Sequence, residues 1–295
     1  MKGLIVINAY PNGKKFIKQA ARIAEELEKL GVDVDVMRNG EVYACIDQAG
    51  MVTTSLSQKY NFAIYLDKDK YLGELLERNG LRLFNSAKAV ATCDDKLTTY
   101  LALAESALPL AKSIPAPLCY TPKAKVDVSF LEKVAKVLGF PLVVKKSYGS
   151  FGAGVQLVHG MPELIKTAQE FLYEPHFFQQ YIAESKGKDI RVIVVGGKAV
   201  AAMERRASGE EFRSNIELGG EGRKTEVQEE YAFVAEQAAK ILHLDYCGVD
   251  LLQGENGPIL CEVNSNAFFE GLEKTTGFNV AEAYAEYVAR EMRGR

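Results

Sequence analysis

Tryptophan is absent from this chain of 295 residues, and histidine occurs only three times, at dispersed positions. Imidazoles so sparse give no zinc-ligand spacing, and structural histidines are expected. The five cysteines, Cys45, Cys93, Cys119, Cys247 and Cys261, are odd in number and set among apolar neighbours. They exclude a disulfide framework and suit a reducing cytoplasm. No apolar run approaches the ~20 residues of a membrane-spanning helix. The opening Met-Lys-Gly leads directly into a core-like strand, so neither a signal peptide nor a lipid anchor is expected, and no membrane partner. A net charge of −3 gives no basis for general nucleic-acid binding. No fixed-period repeat or low-complexity tract stands out. What remains is ordinary core material, 47% apolar and 25% charged residues, enough for about two domains.

Residues 3–8 form a continuous apolar run, as in a buried parallel strand. Residues 14–30 have helical spacing and end at Gly31; strands follow at 32–36, 62–66 and 81–84, with a helix near 70–78. This alternation predicts a small doubly wound α/β domain over residues 1–85. The loop at 9–13 lies where such sheets place ligands, but Asn12 and Gly13 alone make no dinucleotide fingerprint. Residues 86–107 read as helical with a break near Asp94, and the Pro-rich stretch 113–122 as a connection. A second α/β pattern has helices at 128–138 and 162–173 and strands at 141–146, 155–158 and 177–182. Strands at 189–195 and 198–205 form a hairpin around Gly196-Gly197, and helices at 227–242 and 280–292 flank a second hairpin. Residues 207–225 resist assignment.

That second hairpin, residues 248–264, carries Asp250, Glu262 and Asn264 within apolar strands. A three-residue loop, Glu255-Asn256-Gly257, would place Asp250 opposite Glu262, with Asn264 on the same face. Val249, Leu251, Ile259, Cys261 and Val263 would then form the core face, and Leu252 and Leu260 would share the polar side. Two carboxylates and an amide suit Mg2+, with waters and phosphate oxygens as its other ligands. A solvated strand face with scattered acids fits the same residues equally well.

Upstream, Val143-Val-Lys-Lys-Ser-Tyr-Gly-Ser-Phe-Gly-Ala-Gly-Val155 sets a lysine before a loop of three glycines. Backbone amides in such a loop can close on phosphate oxygens while the ammonium neutralises them. The lysine precedes the glycines and a strand follows, which excludes a Walker P-loop; a flexible hairpin loop is the alternative.

In order along the chain, Lys145-x-x-x-Gly149-x-x-Gly152-x-Gly154, Phe178-Gln-Gln-Tyr-Ile182, Lys188-Asp-Ile-Arg191, Glu204-Arg-Arg-Ala207, Phe212-Arg-Ser-Asn215 and Gly248-Val-Asp…Glu262-Val-Asn264 resemble the ATP-grasp superfamily. With Glu270-Gly271 and Thr275-Thr-Gly277, they are most similar to its RimK-type branch of carboxylate–amine ligases, which often add glutamate. The resemblance runs from about residue 86 onward. It implies ATP between a central lobe, 86–182, and a C-terminal lobe, 183–295. It further implies that Lys96 and Lys145 hold phosphates, that Gly149, Ser150 and Gly152 close over them, and that Gln179, Gln180, Tyr181 and Ile182 form a hinge whose main chain bonds adenine. Asp189 matches a ribose contact, with a strand-edge charge as the alternative. Arg191, Arg213 and Asn215 match groups that meet phosphate, acyl phosphate or acceptor carboxylate. Asp250, Glu262 and Asn264 match ligands of Mg2+, or alternatively Mn2+, and Leu252 reads as floor beneath the nucleotide.

The resemblance implies a two-step ligation of a small-molecule or peptide carboxylate with an amino acid such as glutamate, and it suggests self-association. A small-molecule kinase and a nucleotide-binding regulatory protein without turnover are the alternatives. After Asn264 the chain has Ser265-Asn-Ala-Phe-Phe269 where the family commonly has Ala-Ser-Pro-Gly. The two aromatics point to a more apolar acceptor or to a change of loop packing.

Overall fold

The computed structural model describes residues 1–10, 14–56, 60–150, 152–209, 211–214 and 219–294. Strand β1 (Lys2–Ile7), helix α1 (Lys14–Lys29) and β2 (Asp33–Arg38) open the chain. A short hairpin, β3 (Ala44–Ile46) with β4 (Val52–Thr54), precedes β5 (Phe62–Leu66), α2 (Lys70–Arg78) and β6 (Arg82–Phe84). The long strands form a parallel sheet in the order β2-β1-β5-β6. Alternate residues of β1 serve two cores, Ile5 and Ile7 beneath α1, Leu4 and Val6 beneath α2. Helices thus cover both faces, as the sequence pattern predicts, and the strand order reverses between β1 and β5.

Helices α3 (Ala87–Asp94) and α4 (Lys96–Leu103) break at Asp95, whose carboxylate caps α4 by accepting from Leu97 N and Thr98 N. The Pro-rich connection contains a strand, β7 (Ser113–Pro115). Then come α5 (Val128–Leu138), β8 (Leu142–Lys146), β9 (Val155–Val158), α6 (Met161–Glu170) and β10 (His176–Gln180). They make an antiparallel sheet, β7-β10-β8-β9, backed by α5 and α6. The third sheet takes β11 (Lys188–Val195), β12 (Lys198–Arg206), β13 (Glu221–Thr225), β14 (Tyr246–Gly254) and β15 (Gly257–Asn264) in the order β13-β12-β11-β14-β15. Helices α7 (Glu229–Ile241), α8 (Glu270–Thr276) and α9 (Val280–Arg293) accompany it.

The two faces of the third sheet differ in kind. Val192, Val194, Cys247, Val249 and Leu251 face α4 and α7 in one apolar core. On the opposite face Ile193, Met203 and Tyr246 join α9 and α1 in another core, while the far ends of the same strands present Asp189, Arg191, Arg205 and Asp250. One face is therefore half core and half site. Buried Asn85 ties the first sheet to the third: its amide donates to Tyr246 O (2.7 Å) and Ser265 O (2.9 Å) and accepts from Asp245 N (2.6 Å).

Hairpin β14–β15 corrects the expected turn. Gly254 pairs with Gly257, so the turn has two residues, and Asp250 meets Glu262 only because Cys261 is bulged out of register. The bulge exchanges two neighbours. Leu260, expected under the nucleotide, is buried in the core, and Cys261, expected in the core, faces the cleft.

Candidate active site

A cleft of about 840 Å³ lies between the second and third sheets. The loop joining β8 to β9 roofs it, with positive φ at Gly149, Gly152 and Gly154. A side chain at Gly154 would meet Lys146 at 2.8 Å, so the turn requires glycine there. Val143, Val155, Ile182 and Leu252 supply apolar walls, and Gln179, Gln180 and Tyr181 close the hinge end. Gln180 N is engaged by Lys112 O (2.9 Å) and Gln179 Nε2 donates to Ser113 Oγ (2.9 Å), which fixes the hinge to β7.

Two lysines point inward beneath the loop. Lys96 is 9% exposed, not the solvated helix residue its position allows; its Nζ donates to Gly149 O (2.6 Å) and lies 3.4 Å from Glu262 Oε1. Lys145 is 8% exposed, and its Nζ has the Cys261 thiol at 3.6 Å but no carboxylate within ion-pair distance among the described residues. Burying an ammonium without an anion is costly.

On the floor, residues paired across strands form a checkerboard of charge. Arg191 of β11 stands opposite Asp250 of β14, which stands opposite Glu262 of β15; Asp189 stands opposite Arg205 of β12. Arg191 grips Asp250 with two hydrogen bonds of 2.7 Å, and Arg205 Nη2 reaches the same carboxylate at 2.8 Å. Arg205 also holds Asp189 through two bonds, 2.7 and 2.5 Å, and Ser214 Oγ donates to Asp189 (2.6 Å). Burial opposes the charge on Asp250, but Arg191 and Arg205 outweigh it and keep its carboxyl below the usual range. Burial likewise opposes the charge of Arg205, and Asp189 and Asp250 reverse that. Gly248 makes room for this packing: a Cβ there would sit 2.6 Å from Ala267 Cβ and 3.6 Å from Arg191 Cδ.

Arg213 lines the cleft and ties its two sides, donating to Gly152 O (2.8 Å) and to Glu211. Hydrogen bonds from Arg213 draw the Glu211 carboxyl down to about 2. Asn215 lies outside the described residues.

A metal ion here would meet oxygen donors. The Glu262 side chain is 28% exposed to the cleft, and Asn264 lies two positions further along the same strand with its amide nitrogen turned to Asp250 (3.5 Å). A carboxylate and an amide oxygen, with phosphate oxygens opposite, match the ligand chemistry of Mg2+. Asp250 fits differently, because both its oxygens already accept from arginine.

A second cavity of about 1210 Å³ adjoins the cleft and shares Gly149, Ser150, Arg205 and Glu262 with it. It takes in Arg191 and Asn264 and extends to Asn8, Asp67 and Lys68 just beyond strands of the first sheet, to Phe16 of α1 and to Phe268. Apart from Leu260, every expected site residue within the described part therefore borders one of these two joined spaces. In the sequence Arg205 stands out only within Glu204-Arg-Arg-Ala207, Cys261 only as a core-face residue, and Asp67 not at all. Charge complementarity to Asp189 could have marked Arg205, but neither the bulge exposing Cys261 nor the contact of Asp67 with the second cavity has a sequence signal.

Residues 93–288 match the RimK-like ATP-grasp domain family. The chain is 35% identical over 225 residues to beta-citrylglutamate synthase B of Homo sapiens, covering 76% of this chain and 57% of that protein. It is 38% identical over 208 residues to a probable alpha-L-glutamate ligase of Picosynechococcus, covering 70% of this chain and 66% of that one. The chain thus spans only part of these curated relatives. Among solved structures, the ATP-grasp ligase PsnB complexed with minimal precursor, Mg and ADP has a TM-score of 0.71 at 16% identity, covering 99% of this chain and 98% of that one. That likeness of fold extends over the first sheet, which the family match leaves out. By this match and these relatives, the chain belongs to the RimK-like ATP-grasp family.

Proposed function

We propose that this chain is an ATP-dependent ligase that joins a carboxylate to an amine through an acyl phosphate, in the cytoplasm. The observation that carries the reading is Lys145, a buried ammonium facing a glycine-roofed cleft without a carboxylate partner among the described residues. Polyphosphate supplies the missing anion. Lys96 and Lys145 would hold phosphate oxygens, the main chain at Gly149, Ser150 and Gly152 would close over them, and main chain at Tyr181 and Ile182 would meet adenine above Leu252. Asp189, tied to Arg205, would border the ribose. Glu262 and Asn264 would hold Mg2+, or Mn2+, with Asp250 adding charge through its arginine network; the ion would neutralise phosphate and fix its geometry. The PsnB complex with Mg and ADP and the names of the curated relatives support this assignment.

A substrate carboxylate would attack the γ-phosphorus, releasing ADP, and Arg191 and Arg213 would meet the developing charge. Attack by the amine on the acyl carbon would then release inorganic phosphate and a proton and leave an amide. The relatives' names suggest glutamate as the amino acid and a small molecule or peptide as the carboxylate. In this reading residues 1–85 abut the acceptor, and 86–182 and 183–295 enclose the nucleotide. Asn215 belongs with Arg213 on the acceptor side, and self-association remains part of the proposal.

An ADP-release screen over paired carboxylates and amino acids tests it. Release that needs both partners is expected. Release with a carboxylate alone and a stable phosphorylated product would mean a kinase, and binding of ATP without turnover would mean a regulatory protein.

A further inference from the structure

The second cavity ends at the point where the first sheet reverses its strand order. Ligands of open parallel sheets bind in the crevice outside the strand C-termini at such a point. Here Asn8, just after β1, donates to Asp67, just after β5, at 3.0 Å, and Asn39 donates to the other Asp67 oxygen at 2.5 Å. Asp67 is 5% exposed and borders the cavity, yet among the described residues it has amide partners and no cation. Lys68, beside it, is already paired with Asp94 at 2.6 Å. Arg191 and Arg205 at the other end are neutralised by Asp189 and Asp250. Among the described residues, the end facing the first sheet therefore holds one carboxyl group without a cation partner, whose pKa burial raises above the usual carboxylate range. As a carboxylate it attracts an ammonium and repels a second carboxylate.

Its remaining wall is aromatic, with the Lys15 ammonium 4.6 Å from the centre of the Phe268 ring. Phe16 and Phe268 meet edge to face at 4.9 Å, and both border the cavity. Phe268 stands in the stretch where the sequence departs from the family pattern; its neighbour Phe269 is buried against Tyr246 and belongs to the core. The departure thus serves packing through one ring and the cavity through the other.

Resting on the ligase reading, we propose that the second cavity selects an amino acid with an aromatic or large apolar side chain as the carboxylate substrate. Its carboxylate lies toward Arg191 and Asn264, its ammonium toward Asp67, and its side chain against Phe16 and Phe268. Residues 8, 16 and 67 lie outside the family match, so residues 1–85 share in setting this selectivity with Phe268.

Because the chain has no tryptophan, F268W puts a single reporter in the cavity wall, and F16W provides a second should the first misfold. Each is titrated with phenylalanine, leucine, N-acetylphenylalanine, glutamate and succinate, with and without ATP and Mg2+. Phenylalanine and leucine are expected to saturate the emission change at concentrations at least tenfold below glutamate and succinate. Adding D67N should abolish the advantage of phenylalanine over its N-acetyl form. Equal or tighter binding of the dicarboxylates, no emission change with any amino acid, or an unchanged ratio in D67N would overturn the assignment. Binding does not require turnover. Phenylalanine binding without partner-dependent ADP release would sink the ligase reading alone, whereas release driven only by dicarboxylates would sink this one alone.

Discussion

Replacing Lys145 by methionine removes a buried ammonium that has no carboxylate partner among the described residues, so folding should not suffer. The thermal midpoint of K145M should equal or exceed that of the parent, while ADP release falls by about 100-fold or more. Asp250 behaves oppositely. D250N leaves Arg191 and Arg205 buried without their shared counter-charge, a loss of about 3–5 kcal/mol that denaturant unfolding would register. Much at this scale is legible in the sequence, because Lys145, Glu262 and the glycines are set by chemistry at fixed spacing. Arg205 is not. Counting straight back from Gly196-Gly197 puts Glu204 opposite Asp189, and only the irregularity at Ile193/Val194 brings Arg205 there instead.

Among the elements, those with a strong period were readable: α5, β8, β9 and α9 lie where apolar spacing puts them. Strand β13, Glu-Gly-Arg-Lys-Thr, has no alternation to read, since among the described residues it is an edge strand paired with β12 alone. Helix α8 is short and buries only Leu272, too little for a helical pattern. Strand β10 carries a pH dependence of its own. His176 is buried there, with Nδ1 donating to Glu174 O at 2.8 Å, and burial pushes its imidazole below the ordinary value. The unfolded chain therefore takes up this proton first as pH falls below about 6.5, so this contribution is intact above that pH and lost beneath it. Urea midpoints should drop between about pH 7.5 and 5.5, and H176F should flatten that slope. An equal slope in the variant would contradict the assignment.

For the whole molecule, most strands of the three larger sheets are visible in the sequence, β7 and β13 excepted, but how the sheets are clamped is not. Asn85 makes bonds to Tyr246 and Ser265 that no local pattern announces. N85A should cost about 3 kcal/mol by leaving buried backbone groups unpaired, read as a lower denaturant midpoint. The clamp positions the first sheet beside the second cavity, which Asn8, Asp67 and Lys68 border. Ligand linkage tests the cleft itself: ATP with Mg2+ at about 100 times Kd should add ~2.7 kcal/mol, and E262Q should lose the part that depends on the metal. The central claim, acyl transfer through a phosphorylated carboxylate, is tested most directly by oxygen isotope transfer. With a carboxylate substrate labelled with oxygen-18, and ATP, Mg2+ and the amine present, one labelled oxygen should appear in the inorganic phosphate as amide forms. Amide formation with unlabelled phosphate would contradict it.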